Sequence, residues 1–224
     1  MSGPCPSIAI PRNFKGATLS RLAEDIAAGC PDEGWPPLLE LDFQNLGFIR
    51  PAGVVFLSNL LWWLQQQGTS VHLVNANRDV AVLCYLDDSL FFEQHCGEKF
   101  WVNSSPRSTT IPLQRIAHNH SHAWLEHNLL PWLARNIGFT QASFYDLKSC
   151  LSELFNNIKD HTRFEIGSIF VQHYPQASIY RWPISALVFQ RRSGRSVRTF
   201  RTLKPSYRRF KRDSRQNLPL ETLV

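Results

Sequence analysis

The chain has 224 residues, 43% hydrophobic and 19% charged, which suits one large domain or two small ones with a real core. That composition excludes disordered, collagen-like and disulfide-scaffold classes, and no apolar run approaches the roughly 20 residues of a membrane span. The net charge of +6 is unevenly placed: residues 181–224 hold 12 Lys and Arg against 2 Asp and Glu, while the remaining body stands at −4. The basicity therefore belongs to a tail. Five scattered Cys (5, 30, 84, 96 and 150) and no charged start followed by an apolar block point to reduced thiols in a cytoplasm.

Residues 7–10 read as a short strand, followed by a helix from Ala17 to Ala28 with Leu19, Leu22 and Ile26 at helical spacing and Gly29 as its stop. Residues 38–43 form a second strand. After Pro51 an apolar helix runs to Gln67, with Phe56, Leu57, Leu60, Leu61 and Leu64 inward and Gly68 ending it. Residues 70–75 give a third strand, and Arg78 to about Leu86 a third helix. Alternating strands and helices imply a largely parallel sheet in an α/β domain over residues 7–97. Trp62 and Trp63 stand side by side on the second helix, so either one of them meets solvent or a partner, or both are core.

This order and the stretch LELDFQNLGFIRPAG resemble a STAS-like domain, the fold of anti-sigma-factor antagonists. In that family a phosphorylatable Ser precedes the Gly. Here Ala52 precedes Gly53, and Arg50-Pro51 replace the usual acidic-Ser pair. The resemblance implies a docking scaffold without its phospho-switch.

His118, His120, His122 and His127 fall within HNHSHAWLEH. On a strand the alternating ones share a face; on a helix only His118 and His122 do. Neutral imidazoles ligate zinc, but no Cys pair lies at ligand spacing. Trp124, Leu125, Leu129, Leu130 and Trp132 favour an amphipathic helix, broken near Pro131, that carries solvated histidines.

From 143 to 162, Phe144, Leu147, Leu151, Leu154, Phe155 and Ile158 recur every three or four residues. Glu153 and Asn157, four apart, share a face beside the core side, and His161 extends the row. A carboxylate there can orient a water toward a phosphate, and an amide oxygen can ligate Mg²⁺. The segment SELFNNIKDHT resembles the N-box of the GHKL ATPases, the histidine-kinase, gyrase and Hsp90-like superfamily. That resemblance implies a water-activating role for Glu153, a Mg²⁺ contact through bound ATP for Asn157, and Lys159, Asp160 and His161 near the phosphates. Asp160 stands where kinase members carry a basic residue, with Lys159 one earlier. GSIFVQHYP has the alternation of the strand that follows. A partial GHKL domain, an incomplete α/β-sandwich, is thus expected over residues 105–180.

The family's second motif, Asp-x-Gly-x-Gly, is missing. Residues 181–224 contain only Gly194, and no acidic residue occurs between Glu165 and Asp213. Codons from Trp182 to Ser193, read in a shifted frame, permit ADFGVGIPETVR, which looks like that motif in its usual surroundings. A frame change between about 175 and 182 is therefore expected, with an uncovered sheet edge and poor solubility as consequences. If the tail is genuine, RRFKR with Tyr207, together with RRSGR, offers cations for a nucleic-acid backbone, although basic termini are commonly just solvated. The expectation is a bacterial-type cytoplasmic regulator that binds ATP and Mg²⁺ in its complete form. Its partner is a sigma-factor or antagonist-type protein, with no membrane contact and no nucleic acid. The alternative is a non-enzymatic STAS-like interaction module.

Overall fold

Three parallel strands begin the architecture: β1 (Ser7–Ala9), β3 (Leu38–Asp42) and β5 (Ser70–Val74), in the order β1-β3-β5. The computed structural model describes residues 5–28, 35–137, 145, 148–149, 151–153, 155–156, 166–174, 187–188 and 201–202. Register places Ile8, Leu41 and Leu73 in one row, and Leu39 beside Val71. Alternation sends that side inward: Leu39 and Leu41 are buried, while Ser7 and His72, both in register with Glu40, are exposed. A second parallel pair joins β2 (Asn13–Phe14) to β4 (Phe48–Ile49).

Helix α1 (Ala17–Ala28) buries Leu19, Leu22 and Ile26, as its periodicity requires. Helix α2 (Pro51–Gln66) starts with Pro at its first position, where a missing N–H costs nothing, and Gly68 beyond its end takes φ +79°. Every residue from Pro51 to Leu61 is buried, so its first three turns are covered on all sides rather than along one stripe.

The third helix departs from its expected bounds. Arg78 is not its start: its guanidinium bonds the carbonyls of Phe43 (2.8 Å), Gln44 (2.9 Å) and Asn75 (3.2 Å), pinning a turn in which Asn75 has φ +57°. Helix α3 (Ala81–Asp88) follows only after that turn. A fourth helix, α4 (Phe91–Cys96), went unforeseen. The corner before it passes through Leu90 at φ +64°, a conformation that no glycine announces.

The second half opens with β6 (Thr110–Ala117), antiparallel to β7 (Ile166–Gln172) with a register shift between Ile111 and Gln114. From Ala117 the chain enters α5 (His118–Trp124), a π-helical turn (Leu125–Leu129) and α6 (Leu130–Ile137). The expected break near Pro131 does not occur. A proline ring clashes with the carbonyl four residues earlier in a regular helix, and the widened turn just ahead of Pro131 relieves that conflict. Far along the chain, β8 (Leu187–Val188) pairs antiparallel with β9 (Arg201–Thr202). The whole is mixed α/β. Among the described residues, no helix is long and apolar enough to cross a membrane.

Candidate functional site

In the second half Ile111, Ile116, Leu125, Leu129, Leu133, Leu151, Phe155, Ile169 and Val171 form one apolar cluster. Leu151 and Phe155, one helical turn apart, anchor their helix in it and are 1% and 2% exposed. Glu153 lies two residues from each, about 200° round the helix. It is accordingly exposed, which corrects the expectation that its row borders the core. Asn157, Lys159, Asp160 and His161 lie outside the described residues, as does most of the segment 181–224.

Two polar links fasten this helix to α5 and the π turn. His118 Nε2 lies 3.1 Å from Asn156 Oδ1, and Lys148 pairs with Glu126. The hydrogen bond and charge of Lys148 hold the Glu126 carboxyl below its usual value. His118 itself is fixed by the chain entering α5, where Ser121 Oγ–H donates to its carbonyl at 2.6 Å. Trp124 Nε1–H donates to Gln114 Oε1 at 2.8 Å and ties the same helix back to β6. The four histidines are helical or in the π turn; His118 is half-buried and His120, His122 and His127 are exposed. Among the described residues no group of three or more His, Cys, Asp or Glu could hold a metal ion.

At the start of α2, Gly53 is required by packing. A Cβ there would come within 2.7 Å of Ile49 Cγ1 and 2.9 Å of Phe14 Cδ1. Ala52 is buried, whereas Arg50 is exposed just ahead of the helix. Phe48, 43% exposed, carries the Lys15 ammonium 5.8 Å from its ring centre, and Arg12 lies against Gly47. This corner presents an aromatic ring among cations. Neither indole of the Trp62–Trp63 pair faces solvent fully. Trp63 stacks edge-on against Trp35 at 4.9 Å, and the Arg115 guanidinium sits 4.7 Å over Trp62.

Periodicity did not reveal the buried polar groups. His95 Nε2 is 3.0 Å from Ser58 Oγ in the middle of α2. Asp87, wholly buried, accepts the backbone N–H groups of Phe100 (3.3 Å) and Trp101 (3.0 Å). Asp88 accepts Ser104 Oγ–H, Ser105 N–H and Arg107 Nε–H, so the adjacent acids together clamp the connection between α4 and β6. The only sequence signal was the paired Asp at the end of an apolar helix. An open depression of about 430 Å³ lies past β5, lined by Leu73, Ala76, Asn77, Glu98, Lys99 and Phe100. Lys99 is already engaged there with the Ser104 carbonyl and Glu93. Compared with known proteins, the chain matches no family model, no curated protein and no solved structure.

Proposed function

We propose that the chain is a bacterial-type cytoplasmic regulatory protein that joins a STAS-like docking half to an ATP-binding half of GHKL type, incomplete as written. The supporting observation is the placement of Leu151 and Phe155 in the core with Glu153 outward on the same helix. That arrangement puts the carboxylate outside the apolar cluster, on a side of the helix that a nucleotide and its attacking water can reach. In this reading Glu153 orients the attacking water, Asn157 contacts Mg²⁺ through ATP, and Lys159, Asp160 and His161 lie near the phosphates. The Asp-x-Gly-x-Gly element that would hold the adenine is absent from 181–224, so a frame change between about 175 and 182 belongs to the proposal.

Resequencing codons 170–200 tests it first. A second frame that reads Asp-x-Gly-x-Gly and runs on into a Gly-rich lid marks this chain as the damaged copy of an ATP-binding regulator. Nucleotides incompatible with that string dispose of the frame change. Binding of a fluorescent ATP analogue then tests the site: saturable, Mg²⁺-dependent binding that Asn157→Ala abolishes is the expected result for the frame-restored chain.

A second reading, a non-enzymatic interaction module, is favoured by the corner formed by Phe48, Lys15, Arg12 and Arg50. An exposed ring among cations suits an acidic protein surface such as a sigma-factor or antagonist-type partner. If that reading is right, Phe48→Ala weakens partner binding while nucleotide at millimolar concentration binds neither form.

A further inference from the structure

We infer that the two halves are one cooperative body in which β7 is a shared wall, so that whatever steadies one half steadies the other. Packing alone couples the halves, with or without a bound nucleotide.

Neighbouring residues of β7 point into different cores. Ile169 (2% exposed) and Val171 (0%) belong to the cluster built on α5, the π turn and α6, while Phe170 (0%) belongs to the cluster built on α1, α2 and the parallel sheet. Strand β6 also serves both, with Ile111 and Ile116 in the second cluster and Leu113 in the first, the register shift between Ile111 and Gln114 breaking the alternation that would put Ile111 and Leu113 on one face. Strand side chains alternate between faces, so a two-stranded sheet that is apolar on both must be covered on both. Helix α2 supplies one cover. This accounts for the burial of its first three turns on all sides, which a small sheet with helices on one face would leave partly wet.

Polar contacts fix the seam. Tyr85 on α3 packs its ring against Phe170 with centroids 6.0 Å apart, and its hydroxyl donates to Gln172 Oε1 at 2.7 Å. Arg107 covers the same ring at 5.2 Å while holding Asp88 at 2.9 Å. Arg115 of β6 lies over Trp62 of α2, and the Leu113 N–H donates to the Ser89 carbonyl at 2.9 Å. Removing β6 and β7 would strip both clusters of buried members, so neither half keeps its core without the pair. A ligand that binds either half in its closed form raises the free energy of opening for both.

Hydrogen exchange of the full chain, read by mass spectrometry with no nucleotide present, separates the cases. Ile169→Val touches only the second cluster and Phe170→Leu only the first. If β7 is shared, each substitution speeds exchange in both α2 and residues 118–133, by a common factor of about 2–10. Faster exchange confined to 118–133 for Ile169→Val and to α2 for Phe170→Leu overturns the inference, as does no change in either segment. Tyr85→Phe, which deletes only the seam hydroxyl, reads the same coupling should Phe170→Leu fail to fold, and is judged by the same two segments.

Discussion

The imidazole of His95 on α4 lies with Nε2 3.0 Å from the hydroxyl of Ser58, a residue of α2 that is 0% exposed. The ring of Phe91 lies tilted against it, with centroids 4.9 Å apart. Burial, and next the positive Arg115, push its pKa down to about 4 from 6.5. A base whose folded pKa is depressed binds its proton more readily in the unfolded chain. Its contribution is therefore fully present above about pH 6.5 and is lost as pH falls toward 4. The shift corresponds to about 3 kcal/mol in all, of which about 2 kcal/mol is gone at pH 5. Urea unfolding at pH 7 and pH 5 measures the loss. His95→Gln, which keeps a polar partner for Ser58 and does not titrate, should remove most of that difference; an unchanged pH dependence in the variant would place the effect elsewhere.

Asp87 makes a different use of burial. Its two carboxylate oxygens take the N–H groups of Phe100 and Trp101 and so hold Phe100 stacked on Phe92 at 4.4 Å. Asp87→Ala leaves two half-buried backbone donors without their acceptor and should cost about 2–3 kcal/mol. Asp87→Asn retains one acceptor and should cost roughly half as much. Denaturant midpoints give both values, and equal losses for the two variants would mean that the carboxylate's charge, not its acceptor geometry, matters.

Gly53 sets two effects against each other. Alanine inside a helix is intrinsically better than glycine by about 0.5–1 kcal/mol. Against this, its methyl would overlap Ile49 Cγ1 and Phe14 Cδ1 at 2.7 and 2.9 Å, and such overpacking costs about 1–3 kcal/mol. Both neighbours are buried and cannot swing away, so the steric term wins and Gly53→Ala is destabilising by a net 1–2 kcal/mol or so. Thermal unfolding checks the sign. Adding Ile49→Ala should make the pair less damaging than the sum of the two single changes, because the second removes the atom that the first strikes.

What could be read from the sequence was what repeats. The spacing of Leu19, Leu22 and Ile26 located α1, residues 38–43 and 70–75 marked β3 and β5 to within a residue, and the alternation of strands with helices gave their parallel pairing. The run from Pro51 announced α2, but its lack of a polar face was also a sign of burial on all sides, and that depends on β6 and β7 more than 40 residues away. Features set by one contact left no periodic trace. Arg78 looks like a helix start until its guanidinium is seen bridging three carbonyls, and Leu90 gives no hint of a left-handed backbone. The candidate site was read as a row of residue types at helical spacing, and of that row only Glu153 falls among the described residues. Its relation to the core was misjudged, because Glu153 lies opposite the Leu151–Phe155 edge instead of beside it.

That opposition allows scaffold and chemistry to be separated by mutation. Leu151→Ala opens space in the second cluster and should destabilise the fold by about 2–5 kcal/mol. Glu153→Gln changes charge but not shape at an exposed position, where a charged contact is worth at most about 1 kcal/mol, and should stay within that of the parent. Calorimetry of the two variants tests the difference. In the frame-restored chain, Glu153→Gln is further expected to bind Mg-ATP as the parent does while hydrolysing it at least about 100-fold more slowly, the usual weight of a general base. Hydrolysis unaffected by Glu153→Gln, with binding intact, would remove Glu153 from the reaction and leave that helix as a structural support.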